Sequence, residues 1–334
     1  MKANKLIYAP ALKEEFRCRV PLRDTRQLFL VDGTVQGGGT PLSFRLDAGE
    51  HLAQMLQIIA VRSAEGPRSL SFSDTFHFGR GSDGRILLCA HTFSLDPFET
   101  DEHVQIVLEE NARAEFVVMQ NEHNGARHET AYEITLAAGA ALDMVFLSLH
   151  GGEIRNRLDI KMQGEGAVCN LSGLYLIDGA QRMDYDIRLT HAVPHCSSRQ
   201  IVKGILDDDG RAHFDGLIRV EPGAQQTEAY QSNHNLLASA TAKAYTRPQL
   251  EIYADDVKCS HGATIGRLDP DELFYMRSRG IPVSEARVLQ QMAFANEVVE
   301  KISSPELRER MQDLVEKRLR GEFSRCRNCS KNCC

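Results

Sequence analysis

Short apolar runs separated by turn-forming residues dominate the middle of the chain, from about residue 85 to residue 258. Typical runs are RILLCAH, AEFVVMQ, LDMVFLSLH and DYDIRLTH, which are rich in β-branched and aromatic residues. Apolar positions at helical spacing are rare in this part of the chain. Many short strands joined by regular turns predict an all-β architecture.

The turns between these runs repeat along the chain. Junctions of similar sequence align on Ala112, Ala140, Ala167, Cys196 and Ala224, at intervals of 27 to 29 residues. Lys258 follows after 34 residues, so we interpret the last repeat as carrying an insertion. Propeller blades need a repeat of about 40 residues or more, which favours a β-solenoid, or β-helix. Stacked coils share one core, so the five junctions are predicted to lie along one corner.

After Asp269 the pattern changes from strand to helix. Three helices are predicted, over residues 270–279, 284–302 and 305–320. Asp269, Pro270 and Glu272 form a capping signature at the start of the first helix. Ser304 caps the third helix, which ends at Gly321. Their apolar stripes indicate helices that pack on the core or on a partner.

These patterns divide the chain into four parts. Residues 1–84 form an N-terminal region whose fold the pattern leaves open, including whether the solenoid begins there. Residues 51–61 are apolar and fit a strand or a helix equally well. Residues 85–268 form the β-helix core, residues 269–322 the C-terminal helical segment, and residues 323–334 a cysteine-rich tail.

Composition narrows the class of protein. The chain has 334 residues and a net charge of −7, and no basic stripe interleaves with aromatic residues, so we expect no nucleic-acid partner. It has no apolar run of about 18 residues and no secretory signal pattern, so we expect a cytoplasmic protein without a membrane partner. In that compartment its nine cysteines are expected to be reduced thiols.

Cys259 and His261 form the best candidate pair of metal ligands. Their spacing of two residues places both side chains on the same face of a strand. A thiolate and an imidazole suit iron or zinc, but two ligands do not complete a site, so a partner chain would supply the others. The residues alone leave open a buried cysteine beside a hydrogen-bonded histidine.

A second cluster of thiols lies at the C-terminus. Cys326, Cys329, Cys333 and Cys334 are close enough in sequence to hold a metal ion or a cluster. The alternative is a disordered thiol-rich tail that binds metal opportunistically.

Other polar clusters favour turns over sites. His191, His195 and Cys196 crowd one turn, His123 and His128 flank another, and we expect these histidines to be mostly solvated. Residues 79–84 match G-x-G-x-x-G but precede a strand, which favours a plain turn over a phosphate loop. The run Asp207, Asp208 and Asp209 beside Gly210 also predicts a turn. No nucleophile elbow or P-loop is present, so no catalytic residue and no ATPase site are predicted.

The block KCSHGATIGRLD followed by LFYMRSRGI resembles the SufD branch of the SufB/SufD family of iron–sulfur cluster assembly scaffolds. The resemblance extends over about residues 87–302. It implies a β-helix flanked by helices, and a non-catalytic scaffold of the SUF system. It also implies that His261 lies at the interface with a SufB-like subunit, where a nascent cluster forms, with Cys259 as a further ligand. The iron–sulfur cluster is then transient and shared with the partner.

The same resemblance implies two protein partners. A SufC-like ATPase docks on the C-terminal helices, with exposed anchors among Phe274, Tyr275 and Met276. The scaffold partner is a SufB-like chain in a heterodimer, or a second copy of this chain in a homodimer. The residues give no indication of a flavin, which the resemblance leaves open. The chain is shorter than typical SufD proteins, so we expect that it lacks most of their N-terminal helical region.

An unrelated function, enzymatic attack on polysaccharides, is the alternative for this fold. β-Helices also occur as enzymes that act on polysaccharides. Such an enzyme would need an export signal, a groove lined with carboxylates and aromatic residues that stack on sugars. The chain has no export signal and no tryptophan, which disfavours this alternative.

Overall fold

The structure is a computed structural model that describes residue 20 and residues 22–35, 41–63, 66–92 and 96–321. The tail with Cys326, Cys329, Cys333 and Cys334 lies outside these residues. Within them, the chain forms stacked β-strands followed by three helices. The prediction of a β-helix core with a C-terminal helical segment is therefore confirmed.

The described strands form two sheets, and pairing is parallel throughout except between β1 and β2. The ten-stranded sheet contains β1 (Thr25–Val31), β2 (Thr34–Val35), β4 (Met55–Arg62), β6 (Asp83–Thr92), β8 (Arg113–Asn121), β10 (Ala141–His150), β12 (Val168–Ile177), β14 (Ser197–Leu206), β16 (Thr227–Leu237) and β18 (Val257–Arg267). The eight-stranded sheet contains β3 (Ser43–Leu46), β5 (Ser69–Phe78), β7 (Phe98–Leu108), β9 (Ala126–Leu136), β11 (Glu153–Met162), β13 (Arg182–His191), β15 (Arg211–Val220) and β17 (Lys243–Ile252).

The two sheets face each other across an apolar lumen. Alternate residues of each strand point into it, because side chains alternate between the two faces of a strand. Phe146 of the ten-stranded sheet meets Tyr132 of the eight-stranded sheet edge to face, with ring centroids 5.4 Å apart. Burial of such large side chains in every coil is the main stabilising contribution to a solenoid, whose coils contact only their neighbours.

One corner repeats with the same backbone geometry in each coil. A residue in the left-handed conformation comes first, with φ between 56° and 73°: Gly81, Asn111, Gly139, Gly166, His195 and Gln226. A buried residue of small or medium size follows: Ser82, Ala112, Ala140, Ala167, Cys196 and Thr227. The backbone amide after this buried residue donates to the carbonyl of the corresponding residue in the preceding coil at 2.8–3.1 Å. Glycine and asparagine tolerate this conformation best, which explains their recurrence at the junctions.

The corner confirms four of the five predicted positions and corrects the fifth. Ala112, Ala140, Ala167 and Cys196 stack as expected, but Thr227 rather than Ala224 continues the column, because Ser197 pairs with Glu228. The turn that contains Ala224 is two residues longer than the turn that contains Cys196, so the alignment on similar letters selected the wrong residue. Val257 follows Thr227 in register, so the predicted insertion in the last repeat is wrong.

The solenoid begins before residue 85. Residues 25–31 already form a strand that pairs with β4, and the ambiguous run at residues 51–61 contains β4 itself. Residues 79–84 form a glycine turn that leads into β6, as predicted, and Gly81 holds a φ of 64°. Asp208 holds a φ of 47° in the turn after β14, where the amide of Gly210 donates to Asp207 O at 3.0 Å.

The three helices follow the predicted caps. They are α1 (Pro270–Ser278), α2 (Val283–Val299) and α3 (Pro305–Leu319). The Asp269 carboxylate accepts from two amides of the first turn of α1, and Ser304 Oγ accepts from the amide of Leu307. α2 and α3 cover the outer face of the ten-stranded sheet with an apolar cluster that includes Val298, Leu307 and Met311. Among the described residues, no helix is long and apolar enough to cross a membrane.

A buried ionic cluster lies near the N-terminal end of the solenoid. His128 sits between two carboxylates, with Nε2 3.1 Å from Glu102 Oε2 and Nδ1 3.2 Å from Glu122 Oε2. All three side chains are at most 8% exposed. Burial by itself lowers the pKa of His128, but the two glutamates outweigh burial and raise that pKa to about 10. Burial and the Glu102 charge raise the pKa of nearby Asp74 to about 7.

This cluster predicts a protein that loses stability in mild alkali. A histidine with a raised pKa stabilises the fold fully below its unfolded pKa of about 6.5, and the stabilisation fades as the pH rises towards 10. The raised pKa of Asp74 also makes the stability fall as the pH rises, because the carboxyl releases its proton at a lower pH in the unfolded chain than in the folded one. We expect the free energy of unfolding to fall by about 2–3 kcal/mol between pH 6.5 and pH 9, measured by urea titration.

A variant pair tests the source of this slope. His128→Gln should remove most of the pH dependence, since no imidazolium remains between the glutamates. His103→Gln, at a histidine that is 43% exposed beside Glu133, should keep it. An unchanged slope in His128→Gln would assign the pH dependence to other groups.

Candidate functional site

The solenoid ends in a coil that nothing covers within the described part of the chain. β18 pairs on one side with β16, and β17 pairs on one side with β15. Each therefore presents a free strand edge, and the lumen opens between them. A free edge with its unpaired backbone groups is a natural place for another chain to add.

Cys259 and His261 lie on β18 at this open end. In the parallel register, Cys259 follows Ala229 and His261 follows Gln231, both of which are buried lumen residues of β16. The two side chains therefore share the lumen face, as their spacing predicted. Their function as ligands stays a prediction.

The two side chains have different surroundings. Cys259 is half-buried against an apolar cluster that contains Ile218 and Val220, and burial raises the pKa of its thiol. The free chain therefore holds Cys259 as a thiol, which a bound metal would have to deprotonate. His261 is exposed and has no hydrogen-bond partner among the described residues. His261 is therefore not a buried histidine, while Cys259 retains a packing function.

The ligand set is incomplete within the described residues. No three histidine, cysteine, aspartate or glutamate side chains converge there in a way that could hold a metal ion. A complete tetrahedral site needs four donors, and even an open site keeps three. A metal or cluster at Cys259 and His261 thus needs donors from outside the described residues.

The lumen changes from apolar to polar just before this end. Tyr175, Gln200, Gln231, Asn233 and Asn235 line it, and all five are buried. The Tyr175 hydroxyl donates to Asn235 Oδ1, Asn235 Nδ2 donates to Asn233 Oδ1 at 2.8 Å, and Gln231 Nε2 donates to Gln200 Oε1 at 2.9 Å. The sequence analysis did not identify these residues, although the amide side chains at alternate positions of QSNHN in β16 indicate a polar stretch on one face of the strand.

Of the four histidines predicted to be mostly solvated, His195 is exposed and His123 half-buried, whereas strand alternation buries the other two, His128 and His191. His191 ends β13 on the lumen side, fully buried, with Nε2 2.9 Å from Ser198 Oγ, and burial lowers its pKa to about 4. His128 is buried in β9, so the prediction of solvation is wrong for both residues. His195 is the left-handed corner residue, and Cys196 is the buried residue after it. His123 is a half-buried turn residue whose Nδ1 accepts from the amide of Gly125.

Helix α1 stands away from the core. None of its residues is buried, and Phe274 and Tyr275 are 71% and 58% exposed. Met276 is only half-buried, and it lines a shallow groove with Tyr275 and Gln290 of α2. Two aromatic rings exposed on one short helix match the kind of residue that dominates protein interfaces.

Comparison with known proteins decides the family. Residues 71–294 match the profile of the SufBD core domain of the SUF system for iron–sulfur cluster assembly, which is most of the solenoid together with α1 and much of α2. The chain belongs to the SufB/SufD family.

Individual relatives agree with the family match. The iron–sulfur cluster assembly protein SufD of Escherichia coli is 36% identical over 211 residues, or 63% of this chain and 50% of that protein. A SufBD family iron–sulfur cluster assembly protein of Synechocystis is 33% identical over 68% of this chain and 50% of its own length. A chloroplastic protein of Arabidopsis thaliana is 32% identical over 65% of this chain and 46% of its own. The chain spans about half the length of these curated relatives.

Proposed function

We propose that this protein is a SufD-like scaffold subunit of the SUF machinery in the cytoplasm. It works with a SufB-like scaffold and a SufC-like ATPase to build or deliver nascent iron–sulfur clusters. The observation that carries the proposal is the placement of Cys259 and His261 on the lumen face of the terminal strand, at an open end and with too few donors for a site of their own.

The surroundings of the open end support a protein partner. Four large apolar side chains of the terminal coil are 40–56% exposed: Tyr245, Ile252, Tyr253 and Ile265. Exposed apolar residues grouped around a free strand edge are typical of an interaction surface. β17 carries Pro248, which cannot donate to a neighbouring strand, whereas β18 has no proline. The edge of β18 is therefore the better place for partner pairing, which brings the partner's ligands next to His261.

The scaffold itself performs no covalent step in this proposal. His261 offers an imidazole nitrogen to incoming iron, Cys259 offers a thiolate once its proton is released, and the partner supplies the remaining ligands to the iron. ATP hydrolysis takes place in the ATPase, which is expected to reshape the interface through the C-terminal helices. The cluster is cargo shared by two subunits, so it leaves when the interface opens.

The direct test is co-production of this chain with candidate SufB-like and SufC-like proteins, followed by iron and sulfide analysis of the purified complex. The proposal expects a complex of all three that carries both elements. Mass measurement then separates the heterodimer from a homodimer. A chain that purifies alone, as a monomer without iron or sulfide under conditions that load the partner, would contradict the proposal.

We expect α1 to be part of the ATPase docking surface. Replacing both Phe274 and Tyr275 with alanine should weaken binding of the SufC-like ATPase at least 30-fold, since two interface anchors contribute about 2 kcal/mol or more. Calorimetry on the isolated chain measures the change. Because both rings are exposed, the unfolding midpoint should not move.

The matched control is Tyr245→Ala, which removes an aromatic ring of similar exposure from the terminal coil. It should leave ATPase affinity unchanged. Unchanged affinity in the double variant would remove α1 from the docking surface.

A further inference from the structure

One buried amide lies next to His261 in the lumen and lacks part of its hydrogen bonding. Gln231 is 3% exposed, and its Oε1 has no hydrogen-bond partner among the described residues. Leaving a buried acceptor unpaired costs about 1–3 kcal/mol. Buried polar atoms in native proteins are normally hydrogen-bonded, so a donor for Gln231 Oε1 is expected nearby.

The amide of Gln231 is hydrogen-bonded to the preceding coil, where Gln200 Nε2 is also unpaired within the described residues. Gln231 Nε2 donates to Gln200 Oε1 in the preceding coil at 2.9 Å. Gly216 has no side chain, and the amide of Gln231 fills the space that this leaves. A Cβ at position 216 would come within 2.6 Å of Gln231 Nε2. With the nitrogen held by Gln200, the oxygen is the end of the amide that remains available.

The parallel register places His261 in the next position of the same column. Gln231 and His261 are paired residues of adjacent strands on the same face. Neighbouring strands lie about 4.8 Å apart, so paired side chains are in direct reach of each other. The exposed imidazole reorients at little cost, and its two ring nitrogens point in diverging directions.

We propose that Gln231 is a positioning residue for His261: its Oε1 accepts a hydrogen bond from the Nδ1–H of the imidazole, which leaves the Nε2 lone pair directed towards the partner as the ligand. A histidine that binds metal usually donates its other ring N–H to a fixed acceptor, which sets the tautomer and the ring orientation. The column Gln200–Gln231–His261 supplies such an acceptor from a buried and ordered position. This inference rests on the proposed ligand function of His261.

The tautomer of His261 is measurable without any partner or cluster. Two-bond ¹⁵N–¹H NMR spectra of the isolated chain at neutral pH distinguish a ring protonated at Nδ1 from one protonated at Nε2. We expect Nδ1–H in the native chain. Gln231→Met, which keeps the length of the side chain but has no acceptor, should lose this preference. Gln231→Glu, which keeps an oxygen in place, should retain it even if the methionine variant does not fold.

Asn233→Leu is the matched control. It removes a buried amide from the same strand and the same face, where the residue in register on β18 is Ala263. A purely structural effect of losing a buried amide would appear in this control as well, whereas the tautomer of His261 should remain Nδ1–H. In the assembled complex, Gln231→Met should lower iron affinity by about 10–100-fold, as expected for an outer partner of a ligand.

The outcomes separate this inference from the proposed function. A native His261 protonated at Nε2, or a tautomer that does not respond to Gln231→Met, would overturn the positioning role and leave the scaffold function untouched. A tautomer set by Gln231 together with normal cluster content in a His261→Ala complex would keep the hydrogen bond but remove the ligand function.

Discussion

Replacing Arg318 with methionine is expected to destabilise the protein by about 3–5 kcal/mol, because the change leaves a partly buried carboxylate without its partner. Arg318 lies in the last turn of α3 and is 5% exposed. Its Nη1 and Nη2 contact the two carboxylate oxygens of Asp178 at 2.7 and 2.8 Å, and its Nε donates to Leu149 O at 2.7 Å. This bidentate pair fixes α3 to the solenoid, so we expect the amides of α3 to exchange faster in the variant as well.

A double variant shows whether the loss comes from the unpaired charge. Arg318→Met combined with Asp178→Asn removes both charges and should recover a large part of the stability, which a double-mutant cycle in urea measures. Arg320→Ala, at an exposed arginine paired with Glu285 in the same helical segment, should leave the unfolding midpoint unchanged. Equal loss in the single and double variants would mean that packing of the arginine stem, not the ion pair, holds α3.

The solenoid was predictable because its physical cause repeats in the sequence. A residue that tolerates positive φ, followed by a small buried one, recurs at nearly constant spacing, and strands of β-branched residues lie between the repeats. The prediction misplaced the column at Ala224 because the letters of that turn resemble the others, while the register depends on turn length. Helix starts at Asp269 and Ser304 were predictable because capping is local.

Interior polar residues were less accessible to prediction. His128 and His191 look like turn histidines in the sequence, and only the strand register shows that they point inwards. The same limit applies to Gln200 and Gln231, whose significance depends on two coils being stacked. Cys259 and His261 could be assigned to one face from spacing alone, but their position at the open end follows from the order of the coils.

We expect His261→Ala to abolish or sharply reduce the iron and sulfide bound per folded complex. Alanine offers no lone pair, and within the described residues no third donor stands near Cys259 to replace the imidazole. Since His261 is exposed, its removal should change the stability of the subunit by no more than the loss of one hydrogen bond to Gln231. A loss of cluster counted per folded complex is therefore the signature of a ligand.

Two further variants serve as comparisons for His261→Ala. His234→Ala removes another histidine near this end, which lies on the outer face of β16 with Nδ1 2.8 Å from Thr264 Oγ1, and it should leave the cluster content unchanged. Cys259→Ser should cause a smaller loss than His261→Ala, because the partner is able to supply thiolates and because the native thiol is held protonated by its apolar surroundings. If the His261→Ala complex carries normal iron and sulfide per folded molecule, the ligand function is wrong. The open end of the solenoid would then be a surface for protein pairing without a share in the cluster.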